Sequence, residues 1–136
     1  MSMPIDPKSA PKAFGTASLE FRGKTYVARA VTYDTLYVFA YWLHVPGEPE
    51  PDHQDSVFVT FVNGTPTGPI DQLYNKGTTD HSLPWAIAIG GTVYHAETGF
   101  VKGRIAGGYD SITVEATIND GNGNVGKFSF DARRQP

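Results

Sequence analysis

Two histidines have a carboxylate close by in the sequence, and such pairs can carry out general acid–base chemistry near neutral pH. Glu97 follows His95 by two residues, so both side chains would project from the same face of a strand. Asp80 and His81 are adjacent, and on an extended chain they would point apart. No histidine spacing typical of a zinc enzyme occurs. We interpret His95 and Glu97 as a surface pair. A small β-barrel enzyme of the cyclase or isomerase type that uses either pair remains an alternative.

Two oxygen-rich segments have the composition of cation sites. Residues 48–55 carry four carboxylates and one imidazole (Glu48, Glu50, Asp52, Asp55 and His53), but the alternating prolines hold the acids apart. Residues 120–124, Asp-Gly-Asn-Gly-Asn, resemble the first half of a calcium loop without the glycine and glutamate required further on. We interpret the first segment as a solvated acidic loop and the second as a hairpin turn. We predict no metal and no cofactor, although the sequence leaves open whether residues 48–55 bind a metal.

Aromatic residues exceed what a small core needs, with eight Phe, seven Tyr and two Trp in 136 residues. Aromatic rings on a sheet face can stack on sugars, and rings lining a closed barrel can enclose an apolar ligand. We predict ligand contacts at Tyr37, Tyr41, Trp42 and Trp85. The alternative is a core plus an oligomer interface, since interfaces concentrate the same residue types.

Short strands are the elements that would position these residues. Leu36 to Leu43 is apolar on both faces, which predicts a central strand or one at an interface. Strict alternation places Leu36, Val38, Ala40 and Trp42 on one face and Tyr37, Phe39, Tyr41 and Leu43 on the other.

The clearest alternation lies near the end of the chain. Ile112 to Ile118 and Phe128 to Ala132 each alternate apolar with polar residues around a turn rich in Asn and Gly, which predicts a β-hairpin. Ile70 to Tyr74, preceded by Pro69, is the best candidate for a short helix. The pattern predicts an antiparallel β-sandwich or short β-barrel of about eight strands with at most one short helix.

Composition excludes several classes of protein. The net charge is −3, and no basic stripe suited to nucleic acid is present. The chain has no cysteine, so disulfides and thiolate chemistry are ruled out. No apolar run is long enough to span a membrane, and no secretory signal precedes the domain, which favours a cytoplasmic location, although a signal removed earlier would leave no trace. We interpret residues 1–12 as a flexible leader and 13–136 as a single β domain.

No catalytic motif accompanies these features, so the sequence favours a binding function. We expect a non-catalytic module for a small apolar or carbohydrate ligand, contacted by the four aromatic residues named above. A structural or partner-binding homo-oligomer is the main alternative, because the two-sided apolar strand at residues 36–43 is also typical of an interface.

Overall fold

The computed structural model describes residues 13–49, 54–77, 81 and 83–134. Within these ranges the chain forms ten strands and a 3-10 turn at Gly107–Tyr109. The strands are β1 (Ala13–Phe21), β2 (Lys24–Tyr33), β3 (Tyr37–His44), β4 (Ser56–Thr60), β5 (Gly68–Asn75), β6 (Ala86–Ile89), β7 (Thr92–His95), β8 (Thr98–Ile105), β9 (Ser111–Asn119) and β10 (Val125–Arg134). The predicted leader, residues 1–12, lies outside the described residues.

All ten strands belong to one antiparallel sheet in the order β5-β8-β9-β10-β1-β2-β3-β4-β6-β7. The sheet curls into a half-barrel, and the predicted antiparallel all-β class is confirmed. Strands β1 and β10, the first and last of the described chain, pair with each other inside the sheet. The edges are therefore formed by β5 and β7. Among the described residues, no helix is long and apolar enough to cross a bilayer.

The prediction of a helix at Ile70 to Tyr74 is wrong, because these residues belong to edge strand β5. Ile70 and Tyr74 are buried, whereas Asp71 and Leu73 between them are exposed, which is the period of a strand. The segment pairs with β8 along its whole length. Since a single helical turn is marginal by itself, this pairing decides the local structure.

The predicted hairpin is confirmed as β9 and β10. Its register places Val114 opposite Phe130 and Ala116 opposite Phe128, so the apolar residues of both strands share one face. All four side chains are at most 4% exposed. The turn between the strands holds Asp120, whose carboxylate accepts hydrogen bonds from the backbone N–H of Asn122 and of Asn124.

Large side chains fill the concave side of the sheet, which we call the core face. The indole of Trp85 is 0% exposed and donates a hydrogen bond from Nε1 to the carbonyl of Thr60, at 2.9 Å. Its ring lies on Gly99 of β8, where an added Cβ would come within 2.4 Å of indole carbon Cζ3. Opposite, Ile87 of β6 reaches Gly126 of β10 in the same way, at 2.7 Å. Residues of the chain itself therefore occupy the interior.

Edge strand β5 is also tied to the segment that follows β4. The side-chain oxygen of Gln72 accepts a hydrogen bond from the backbone N–H of Val62, at 3.1 Å. The amide nitrogen of Gln72 donates to the hydroxyl of Thr65, at 2.8 Å. One glutamine side chain thus links β5 to the segment that follows β4, although β5 and β4 are far apart in the sheet order.

Candidate binding site

Three of the four predicted ligand contacts lie together on the side of the sheet turned away from the core, which we call the outer face. Together with two phenylalanines they form the aromatic cluster, made of Tyr37, Phe39, Tyr41, Trp42 and Phe58. The ring centroids of Tyr37 and Phe58 are 5.3 Å apart, and those of Phe39 and Tyr41 are 5.1 Å apart. The fourth predicted contact, Trp85, lies in the core.

The alternation expected for residues 36–43 fails at Trp42. Trp42 packs against the aromatic cluster, whereas Leu43 joins Val38 and Ala40 in the core. The cause is the backbone of Trp42, whose φ of 55° lies in the left-handed region that residues other than glycine rarely adopt. This conformation reverses which side chains face the core.

The aromatic cluster is enclosed, so it offers little surface to a ligand. Phe39 is 0% exposed, Tyr41 2% and Phe58 7%, whereas Tyr37 and Trp42 are half-buried at its rim. Desolvation raises the pKa of Tyr37 and that of Tyr41 above the ordinary value for tyrosine. Strand β3 lies between β2 and β4, which agrees with the prediction of a central strand. This position explains why its residues are apolar on both faces.

Trp85 lies among polar and aromatic neighbours at the edge of the core. Its ring stacks on Tyr74, with centroids 4.7 Å apart, and His81 meets it edge-on at 6.2 Å. Because the indole has no exposed surface, we assign Trp85 to the core rather than to a surface site.

His81 is held by the threonine at the end of β4. The Thr60 hydroxyl donates to the carbonyl of Leu83 at 2.7 Å, so it accepts from Nδ1–H of His81 at 3.1 Å. In the neutral ring this tautomer leaves Nε2 as an acceptor, buried and with no hydrogen-bond partner among the described residues. The other member of the predicted pair, Asp80, lies outside the described residues.

The pair of His95 and Glu97 lies at the surface. Both side chains are exposed, and Glu97 forms an ion pair with Lys76, with Nζ and Oε2 4.0 Å apart.

Carboxylates in the oxygen-rich segments serve the fold. Asp55 is 4% exposed, so the prediction of a solvated loop is wrong for this residue, whose carboxylate accepts from the backbone N–H of Gly90 and holds the β6–β7 turn. Glu48 is exposed and pairs with Lys24 at 3.7 Å. Residues 50–53 lie outside the described residues. Among the described residues, no group of three or more potential ligands is placed to hold a metal ion.

The outer face of β9, β10, β1 and β2, which are neighbours in the sheet, differs from the aromatic cluster because it is polar and open. A cavity of about 310 Å³ lies there, between the side chains of β9, β10, β1 and β2. Its lining includes hydroxyl groups and two carboxylates, from Thr16, Ser18, Thr113, Ser129, Glu115 and Asp131. The strand register places Ser18 opposite Ser129 and Thr16 opposite Asp131, so these groups face one another in pairs.

A second cavity, of about 300 Å³, lies beside the first. The next outward-facing pair along β1 and β10, Glu20 opposite Lys127, belongs to its lining. Arg22, in the turn after β1, and Lys24, the first residue of β2, are the other charged residues of its lining. Both cavities border the outward-facing residues of β1 and β10 from Thr16 to Glu20 and from Lys127 to Asp131, and we call this stretch of the outer face the outer groove.

An exposed aromatic ring lies at the far end of the outer groove. Phe14 is 45% exposed and lies two residues before Thr16 on the same face of β1. Arg133, which pairs with Phe14 across the sheet, holds its guanidinium 5.5 Å from the centroid of that ring.

Sequence reasoning interpreted these polar positions only as the solvent-facing half of an alternating pattern. One feature of the sequence could have indicated the groove. Serine and threonine, rather than lysine and glutamate alone, occupy the outward-facing positions of β1, β9 and β10. The pairing of β1 with β10 joins residues more than a hundred positions apart, so the groove emerges only from the sheet order.

Fold and groove together define the protein as an all-β half-barrel with an open polar face. Comparison of the chain with protein-family models, with curated proteins and with solved structures finds no match.

Proposed function

We propose that this protein is a non-catalytic module that binds carbohydrate in the outer groove. The observation that carries the proposal is the lining of the groove, where hydroxyl and carboxylate side chains face one another in pairs across an open sheet surface. Sugars present rows of hydroxyl groups, and a carboxylate such as Asp131 or Glu115 accepts strong, charge-assisted hydrogen bonds from them.

The packing of the core favours a sugar over an apolar ligand. Binding an apolar molecule inside a β-barrel requires an interior cavity. Here the core face is filled by Trp85, Phe61, Phe128 and Phe130, each at most 1% exposed. The first cavity lies on the outer face, and its lining combines hydroxyl and carboxylate groups with apolar side chains such as Val27.

The shape of the groove suits an extended chain of sugars. From Phe14 to Glu20 the groove follows β1 over about 20 Å, at roughly 3.3 Å per residue. The exposed ring of Phe14 at one end is a surface on which the apolar face of a sugar can stack. A linear oligosaccharide is therefore the ligand we expect.

The alternatives have less support. An oligomer was expected from the two-sided apolar strand, but β3 is buried on both faces within a single chain, so its composition no longer calls for a partner. The enzyme alternative rests on His95 and Glu97. Both side chains are exposed, and Glu97 forms an ion pair with a lysine.

Titration calorimetry with linear pentasaccharides of glucose, xylose, mannose and N-acetylglucosamine tests the proposal. We expect at least one to bind, and we expect the Ser129→Trp variant, which fills the middle of the groove, to bind it at least about tenfold more weakly, a loss of roughly 1.4 kcal/mol. Thr98→Trp is the matched control, because Thr98 is exposed on β8 and lines neither cavity.

Thermal unfolding of both variants shows whether the fold is intact. If none of the pentasaccharides binds, or if Ser129→Trp and Thr98→Trp bind alike, the outer groove is not the site and the proposal fails.

A further inference from the structure

The first cavity of the outer groove has an apolar side, at β2. On β9, β10 and β1 the outward-facing residues of its lining carry hydroxyl or carboxylate groups. On β2 the outward-facing residue of the lining is Val27, which is half-buried and lies opposite Ser18. Ser18 in turn lies opposite Ser129. Neighbouring members of this row are about 4.8 Å apart, so a valine side chain and two hydroxyl groups lie within reach of one small ligand.

The pairing of β1 with β2 ends beside Val27. The register of these two strands stops at Ser18 opposite Val27, whereas each strand continues for several residues along its other neighbour, β10 or β3. In the described part of the chain the two strands therefore part at this point. The next residue on each strand, Ala17 on β1 and Ala28 on β2, belongs to the lining of the first cavity. We call this place the β1–β2 gap.

The β1–β2 gap combines two kinds of chemistry. Two alanines and Val27 border it, and these small apolar side chains suit a methyl group. Beyond Ser18 and Val27 the facing edges of β1 and β2 are not paired with each other. The N–H and C=O groups of a strand edge are strong hydrogen-bonding groups that can pair with an added amide. A methyl group joined to an amide is an acetamido group.

On the basis of the proposed function, we infer that the sugar ligand is N-acetylated and that the β1–β2 gap binds one of its acetamido groups. The methyl group contacts Val27 and Ala28, and the amide lies against the unpaired strand edges. The sugar ring lies over Ser18 and Ser129, whose hydroxyl groups exchange hydrogen bonds with those of the sugar. The chain then continues along β1, and the acetamido group projects sideways toward β2. A hexose without this group leaves the apolar side of the cavity empty.

Calorimetry with three β-1,4-linked pentasaccharides tests this inference. They are built from N-acetylglucosamine, glucose and glucosamine, which differ only in the acetamido, hydroxyl or ammonium group on the second ring carbon. We expect the acetylated chain to bind about tenfold more tightly than the glucose chain, as for one buried methyl group and one added hydrogen bond. The measurements are made at raised salt, which screens the attraction of Glu115 and Asp131 for the ammonium groups. The glucosamine chain should then bind more weakly than the acetylated chain.

The Val27→Thr variant locates the acetamido group, because it exchanges one methyl group for a hydroxyl group of similar size. We expect the ratio of the two affinities, acetylated chain over glucose chain, to fall from about tenfold to about threefold or less. Val93→Thr is the matched control, since Val93 is exposed on β7, lines neither cavity and should leave the ratio unchanged. Thermal unfolding shows whether both variants are folded.

Saturation-transfer NMR of the wild-type protein with the acetylated chain gives a result that needs no variant. Protons of the ligand that lie closest to the protein receive the most magnetisation. We expect the acetyl methyl protons to be more strongly saturated than the ring protons. The opposite order would show that the methyl group points away from the protein and would overturn the inference.

Failure of the inference and failure of the proposed function give different results. The inference is overturned and the carbohydrate site stands if the acetylated and glucose chains bind equally, if the glucosamine chain binds as tightly as the acetylated chain, or if Val27→Thr keeps the wild-type ratio. The same holds if none of these three chains binds but a xylose or mannose pentasaccharide does. If no pentasaccharide binds, the proposed function fails and the inference fails with it.

Discussion

In β3 and β4 the outer face carries Phe39 and Phe58, which are 0% and 7% exposed, whereas in β9 and β10 the same face carries Glu115 and Ser129, which are both exposed. We call these the aromatic half and the polar half of the sheet. Both halves present the same kind of apolar residues to the core, such as Val38 and Val57 in one and Val114 and Phe130 in the other.

The comparison separates stability from recognition. A strand buried on both faces gains from packing on both, but it has no surface left for a ligand. A strand buried on one face depends on that face alone, and its other face is free to vary. The aromatic half is therefore the more sensitive to substitutions on its outer face, and the polar half is the better place for a binding site.

The largest expected effect comes from the outer face of the aromatic half. Phe39→Ala removes a fully enclosed ring, and we expect it to destabilise the protein by about 3–5 kcal/mol. Ser129→Ala, on the outer face of the polar half, should change stability by no more than about 0.5 kcal/mol. Urea denaturation of both variants measures the contrast.

Because Phe39→Ala is expected to be poorly folded, Phe39→Leu provides a milder variant with the same direction of effect. Equal stabilities of the Phe39 and Ser129 variants would show that the outer face of the aromatic half is not a packed surface, and the comparison would lose its basis.

The next effect concerns the core face of the polar half. An added Cβ at Gly126 would lie 2.7 Å from Cδ1 of Ile87, so Gly126→Ala should destabilise by about 1–3 kcal/mol through overpacking. Since Cδ1 is the end of a flexible side chain, Ile87→Val, which removes it, should lower the cost of Gly126→Ala. A double-mutant cycle by chemical denaturation measures this coupling, and purely additive effects would argue against the contact.

A smaller effect is expected at the turn of the polar half. Hydrogen bonds from the Asn124 side chain, and from the backbone N–H groups of Asn122 and Asn124, hold the pKa of Asp120 below its ordinary value. The ionised carboxylate therefore stabilises the folded state above the pKa of the unfolded chain, near 3.9, and this contribution is lost as pH falls through the lower folded pKa.

Asp120→Ala should accordingly cost about 1 kcal/mol at pH 7 and less at pH 3. Thermal unfolding across this pH range checks the trend. Asn122→Ala is the control, because the exposed side chain of Asn122 is not needed for the bond that its backbone N–H donates. A difference between wild type and Asp120→Ala that stays constant with pH would contradict the assignment.

The same contrast explains what could be predicted from the sequence. Alternation at Ile112 to Ile118 and apolar continuity at Leu36 to Leu43 correctly indicate one strand with a single buried face and one with two. The edge strand β5 was missed because Pro69 resembles a helix start, while its pairing partner β8 lies some thirty residues away. The outer groove was missed for a similar reason, since β1 and β10 come from opposite ends of the chain. The reversal at Trp42 depends on a backbone angle that no residue type signals.

The smallest expected effect distinguishes two phenylalanines on the same outer face. Phe14, at the end of the groove, is 45% exposed and has Arg133 over its ring, whereas Phe39 is fully enclosed. An exposed cation–π contact contributes only about 0.5–1 kcal/mol, so Phe14→Leu should lower stability by no more than that. If the ring serves as a stacking surface, Phe14→Leu should reduce the association constant for the pentasaccharide by a larger factor than it reduces the equilibrium constant for folding. Calorimetry and denaturation of the one variant measure both quantities, and a loss confined to stability would place Phe14 outside the binding site.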